Sequence, residues 1–298
     1  MRRSILTLLL IYVMLGLVGA VMLENALHIR PQFRKVALEA EARRIAGDSL
    51  QDVEVKATDG LSLRGWYARP SNFIGSSVVL LHGVSATRSQ MLTYAPMFLR
   101  KGYAVLMPDF RGHGASGGDV ITYGVRESRD VPRWADWLLS AGGAQKLYGL
   151  GLSLGGSVLI QSLDVEKRFR AIAAEGAYSS FWEVGRDRVL PPSLPKALAS
   201  VVFFPIGVGA FTYANIRYGF DLDQAAPYRS LQHAHTPTLL IHGDHDFETP
   251  LDHSERLAHV NPESTVLWVV PDAKHVGAFT TARAEFERRV TQWFEEHR

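Results

Sequence analysis

Three residue types that together can transfer an acyl group occur in this chain in a fixed order. The first is a serine among glycines, in Gly151-Leu152-Ser153-Leu154-Gly155-Gly156. Apolar residues lead into it (Leu147, Tyr148, Leu150) and follow it (Val158 to Ile160). The pattern predicts a buried strand that turns sharply into a helix, with Ser153 at the apex. Gly151 and Gly155 stand where side chains would collide in such a turn. The N–H groups and positive dipole end of the following helix would face Ser153 and favour negative charge there. An ordinary glycine-rich turn is the plainer reading of G-x-S-x-G alone. The flanking strand and helix signals favour a nucleophile.

A serine hydroxyl needs a base to take its proton, and the base needs an acid that holds its tautomer and stabilises its cation. Of the eleven histidines, His275 falls in a loop between the last strand signal and the last helix signal, and it is the candidate base. His233, His235, His245, His253 and His259 read as solvated loop or helix positions. The acid should follow a strand end between Ser153 and His275. Asp244 and Asp246 both qualify; Asp246 is preferred because Asp244 directly follows a turn glycine and is better placed to shape the loop. Glu175, after the preceding strand, is the rival. His242, Asp244, His245 and Asp246 also invite a metal reading, but no third group at ligand spacing accompanies them. No cofactor is expected. An oxyanion needs two N–H donors aimed at one point; Leu154 and Val84 are the candidates.

The elements that must hold these groups are legible as periodicities. Val53 to Tyr67 alternates about Asp59-Gly60, the signature of a hairpin. Short apolar runs at Ser76–Leu81, Tyr103–Met107, Leu147–Leu150, Phe169–Ala174, Pro237–Ile241 and Thr265–Val270 read as strands buried on both faces. Helices are expected at Arg88–Lys101, around Val131, Trp134 and Leu138 (starting near Asp130 and Pro132, or kinked there), and at the C-terminus, where Phe286, Val290, Trp293 and Phe294 share a face. The expected architecture is α/β, a mostly parallel sheet flanked by helices. In such a sheet ligands bind beyond the carboxyl ends of the strands. His82, Asp109, Ser153, Glu175, Asp246 and His275 all follow predicted strand ends. Residues 177–235 are too long for a simple crossover and carry the apolar run Val201–Tyr213. They are expected to form a helical cap over the strand ends, with a longer crossover or a membrane-contacting patch as alternatives.

Residues 1–23 open with Arg2-Arg3 and continue uncharged from Ser4 to Leu23, a helix of about 30 Å if continuous. A retained single-pass transmembrane anchor is expected, since Val18-Gly19-Ala20 is a poor signal-cleavage site. Residues 24–49 read as a polar, partly helical connector and 50–298 as the catalytic domain. For orientation the charges disagree: Arg2 and Arg3 argue for a cytoplasmic N-terminus, Arg30, Arg34, Lys35, Arg43 and Arg44 for the reverse. A short tail with two arginines is hard to translocate, which favours an extracytoplasmic domain. A net charge of +2 over 298 residues gives no reason to expect a nucleic-acid partner, and the absence of cysteine excludes disulfides and thiolate catalysis.

With LLHGVSATR (Leu80 to Arg88), PDFRGHGASGG (Pro108 to Gly118), GLSLGG (Gly151 to Gly156), LIHGDHDFETP (Leu240 to Pro250) and KHVGAF (Lys274 to Phe279) in this order, residues 50–298 resemble the α/β-hydrolase superfamily. Within it the chain is similar to bacterial membrane-anchored hydrolases of the serine-aminopeptidase and monoacylglycerol-lipase-like group. The resemblance implies Ser153 as nucleophile, His275 as base and Asp246, in the H-G-x-x-D pattern, as acid. It supports Val84 in the H-G-x pattern and gives Asp109, Arg111 and His113 a structural role. The implied function is cleavage of a carboxylic ester with an apolar acyl group, from a small-molecule or lipid-like substrate. A peptidase, a thioesterase, and an idle, membrane-anchored scaffold are the alternatives.

Overall fold

The structure is a computed structural model that describes residues 2–29 and 35–298. Arg30 and Arg34, which enter the charge argument on orientation, lie outside the described residues. The chain opens with helix α1 (Arg2–Leu27) and, beyond residues 30–34, α2 (Lys35–Ala46). A hairpin follows, β1 (Gln51–Lys56) and β2 (Ser62–Ala68), then β3 (Ser76–Leu81), α3 (Ala95–Arg100) and β4 (Ala104–Pro108). Next come α4 (Glu127–Ser140), β5 (Lys146–Leu152), α5 (Leu154–Ser162) and β6 (Phe169–Glu175). Residues 177–235 contribute α6 (Phe181–Val189), α7 (Lys196–Tyr218) and α8 (Pro227–Gln232). The chain closes with β7 (Thr238–Gly243), α9 (Asp252–Val260), β8 (Thr265–Val270), α10 (Ala278–Thr281) and α11 (Arg283–Glu296).

The eight strands form one sheet in the order β1-β2-β4-β3-β5-β6-β7-β8. β1 and β2 pair antiparallel, as do β2 and β4; the other pairs are parallel. The continuous apolar runs follow from burial on both faces. Val79 and Leu81 enter one core layer with Val158 and Leu159 of α5, while Val78 and Leu80 enter the other with Phe286, Val290 and Phe294 of α11. Each such side chain removed from water contributes roughly 1.5–3 kcal/mol. Leu23 and Leu27 of α1 belong to the first layer, so α1 is built into the body.

One helix differs from expectation, and a second takes the longer of its two expected forms. The segment expected as one helix over Arg88–Lys101 is a 3₁₀ turn (Arg88–Thr93) followed by α3. Pro96 lies in the first turn of α3 and has no N–H to carry a longer helix through. In contrast, α4 starts at Glu127 and continues through Pro132. Its first turn is fixed from outside: the Glu127 carboxylate accepts from Thr122 N, Thr122 Oγ1 and Gly124 N.

Candidate active site

Ser153 sits between β5 and α5 with φ of 53° and ψ of −116°, a left-handed conformation that is strained for a residue with a Cβ. Close packing holds it there. A Cβ on Gly151 would lie 2.3 Å from the Gly155 carbonyl oxygen, and one on Gly155 would lie 2.2 Å from that of Leu81. Backbone therefore meets backbone on both sides of the turn, and Ser153 is pushed outward. Its own N–H donates to the Glu175 carbonyl at 2.7 Å, which ties the apex to the end of β6.

His275 follows β8, between Asp272 and Val276, both of which take positive φ. Its Nε2 lies 2.8 Å from Ser153 Oγ and its Nδ1 lies 2.7 Å from Asp246 Oδ2. With Nδ1–H donating to the carboxylate, Nε2 is free to accept the serine proton. Asp246 follows β7, and its Oδ1 accepts from the amides of Glu248 and Thr249 at 3.0 and 2.9 Å. Burial alone would raise its pKa, but the imidazoles of His242 and His275 outweigh this, and the carboxyl is held well below the usual range. It is ionised throughout the neutral range.

The neighbouring candidates lie elsewhere. Asp244 Oδ1 accepts from Asp272 N at 2.7 Å, so it braces the His275 loop. Glu175 Oε1 accepts from Ala278 N at 2.8 Å; among the described residues its Oε2 has no hydrogen-bond partner. Burial pushes the Glu175 carboxyl up to about 7, and the nearby Asp246 charge adds to the effect. His242 is fully buried, with Nδ1 2.7 Å from Ser254 Oγ and Nε2 2.8 Å from the Thr249 carbonyl. His253 is not the solvated position expected from the sequence. It is 2% exposed, its Nδ1 lies 2.8 Å from Ser179 Oγ and its Nε2 lies 3.2 Å from Asp187 of α6.

Val84 and Leu154 both border the cavity at Ser153. The turn that carries Val84 is held from three sides. Gly83 N–H donates to Gln90 Oε1 at 2.8 Å, His82 Nδ1 lies 2.7 Å from the Gly83 carbonyl, and His113 Nε2 lies 2.7 Å from the Val84 carbonyl. His82 also accepts the Phe110 N–H through Nε2. Burial first, and then the neighbouring His113, depress the His82 pKa to about 3, so it stays neutral. Asp109 organises the glycine-rich loop by accepting from the amides of Arg88 and Ala115. Arg111 grips both carboxylate oxygens of Asp130 at 2.7 Å.

From Ser153 a largely apolar cavity extends along α6 and α7. Phe181 and Val184 of α6 and Phe203, Ile206 and Phe211 of α7 form part of its wall. Tyr123 and Tyr178 also line it; Tyr178 donates its hydroxyl to the Tyr123 carbonyl at 2.6 Å. Sequence reasoning pointed to the run Val201–Tyr213, which holds Phe203, Ile206 and Phe211, but did not single out Tyr123, Tyr178, Phe181 or Val184. It also missed that Gly19, Met22, Leu23 and Ala26 of α1 complete the wall. The hidden signal was the set of small residues Gly16, Gly19 and Gly209, which mark where α1 and α7 touch.

Comparison with known proteins agrees with this architecture. The esterase Pf2001 of Pyrococcus furiosus superposes with a TM-score of 0.68 at 26% identity, covering 86% of this chain and 95% of that one. The esterase EaEST of Exiguobacterium antarcticum superposes with a TM-score of 0.61 at 19% identity, covering 82% of this chain and all of the other (100%). The uncharacterised protein YqkD of Bacillus subtilis is 23% identical over 239 residues, 79% of this chain and 76% of its own. The model of the Alpha/beta hydrolase family matches residues 78–289, the stretch that holds Ser153, Asp246 and His275, and the chain belongs to that family.

Proposed function

We propose that this protein is a serine hydrolase that cleaves a carboxylic ester with an apolar acyl group. The observation that supports this most is the unbroken hydrogen-bond chain from Asp246 through His275 to Ser153, opening onto a cavity with mostly apolar walls. In this reading Ser153 Oγ attacks the ester carbonyl as its proton passes to His275 Nε2. Ionised Asp246 stabilises the imidazolium. The amides of Val84 and Leu154 hold the oxyanion; the Val84 amide is not used by the hydrogen bonds that shape its turn. His275 returns the proton to the leaving alkoxide, and the alcohol departs. Water, deprotonated by His275, then releases the acid and regenerates Ser153. The esterases among the structural relatives favour an ester over a peptide or thioester. α1 would hold the enzyme in a membrane, with the catalytic domain on the extracytoplasmic side.

The test is an initial-rate series on p-nitrophenyl esters from acetate to palmitate, with the full chain in detergent and Ser153→Ala beside it. Turnover by the wild type and a loss of about 10⁴-fold or more in the variant are expected. A fluorophosphonate should label the wild type only. Labelling of Ser153 without turnover of any ester would overturn the substrate class. Neither labelling nor turnover in folded protein would overturn the enzyme reading and favour a scaffold.

A further inference from the structure

The cavity at Ser153 has a wall that the catalytic domain does not supply. Gly19, Met22, Leu23 and Ala26, at the C-terminal end of α1, line it together with residues of α6 and α7. α1 is docked there firmly. A Cβ on Gly19 would lie 2.0 Å from the Ile206 carbonyl oxygen, and one on Gly209 would lie 2.1 Å from that of Gly16. The two helices touch backbone to backbone, the close approach that small residues allow between membrane helices. Polar bonds fix the same end. Tyr213 and Tyr218 donate to Glu24 Oε2 at 3.0 and 2.6 Å, Tyr123 donates to the Ala26 carbonyl, and Ile121 N–H donates to the Leu27 carbonyl.

Ile5 to Met14 are exposed around the whole helix, and a helix apolar on every side requires an apolar surrounding. Ile5–Leu27 has the length and composition to cross a membrane. The pocket wall therefore belongs to the last two turns of a spanning helix, at the edge of the hydrocarbon core. That is the depth at which a single-chain amphiphile keeps its ester group, with its acyl chain in the lipid.

We propose that α1 is part of the substrate site: residues Gly19–Ala26 close the acyl pocket, and the substrate is an amphiphilic ester resident in the bilayer. This rests on the ester-hydrolase reading above and adds to it both the origin of the substrate and the residues that measure its chain.

The test uses the full chain in phosphatidylcholine nanodiscs. Rates on p-nitrophenyl butyrate and palmitate are measured for wild type, Met22→Trp and Leu23→Trp, with Leu9→Trp, on the exposed face, as control. Met22 is already 42% exposed, so its variant keeps the test valid if Leu23→Trp does not fold. The palmitate-to-butyrate ratio should fall at least tenfold in the pocket-side variants and stay at the wild-type value in Leu9→Trp. An unchanged ratio in an active Met22→Trp enzyme would overturn the proposal and leave the esterase reading intact. If no ester is turned over and a fluorophosphonate does not label Ser153, the esterase reading has failed instead. An uncleavable alkyl glycerol ether with a chain-end diazirine then decides. Photolabelling of residues 19–26 that excess unmodified ether displaces and Met22→Trp abolishes supports the proposal; labelling confined to Ile5–Met14 overturns it.

Discussion

Glu175 is the carboxyl whose ionisation the fold opposes most clearly. It is buried, it lies near the negative Asp246, and its pKa is raised from 4.5 to about 7. In the folded chain it therefore keeps its proton between pH 4.5 and 7, where the unfolded chain releases it. Stability falls with rising pH across that window, and the full loss is present above pH 7. The cost is on the order of 3 kcal/mol for a shift of this size. Glu175→Gln keeps an oxygen for Ala278 N–H and cannot ionise. Relative to wild type, it should be more stable by about 1–3 kcal/mol at pH 8 and little different at pH 5. Denaturant titration in detergent at the two pH values checks this; a constant difference would mean that Glu175 ionises freely. Asp246 behaves oppositely: its folded pKa is depressed, so its contribution is lost only as the pH falls below the usual carboxylate range.

At the scale of elements, the strand-turn-helix at Ser153 depends on contacts that admit no side chain. Gly155→Ala would put a methyl group 2.2 Å from the Leu81 carbonyl oxygen, so β3 and α5 must separate. Loss of folded protein, or a drop in melting temperature of more than about 10 °C, is expected, beyond the usual effect of a single substitution. Gly60→Ala, where no atom lies within 4 Å, should show only the smaller strain of its positive φ. This element was legible from Gly151, Gly155 and the apolar runs, because the sterics of the turn are local. The strands were legible for the same reason: burial on both faces leaves uninterrupted apolar runs such as Val78 to Leu81. Where tertiary contacts decide, the sequence pattern misled. His253 looks polar and exposed in its helix, yet Ser179 and Asp187 arrive from the cap to bury it. The face of α1 that lines the cavity was hidden too, since an all-apolar helix shows no amphipathic stripe.

For the whole molecule, the sheet and its helices, α6, α7 and α1 pack together. A chain begun at Ala46 would lack Leu23 and Leu27 from the core and leave the Glu24 sites on Tyr213 and Tyr218 empty. That truncated chain should aggregate or melt well below the full chain, by scanning fluorimetry in the same detergent. The full chain should stay with membranes after an alkaline carbonate wash, with an intact mass that includes residues 1–23. A mature mass without them would show that the helix is a cleaved signal.

The contact between Gly19 and Ile206 also sets a timetable. α1 leaves the ribosome before its partner α7, which follows roughly 190 residues later, at 5–20 residues per second a delay of roughly 10–40 s. Throughout that interval the glycine-marked face of α1 waits without its α7 partner. The pocket cannot close until α7 arrives, and Asp246 and His275 follow α7 in the chain, so the order of synthesis supplies the wall before the last of the candidate catalytic residues.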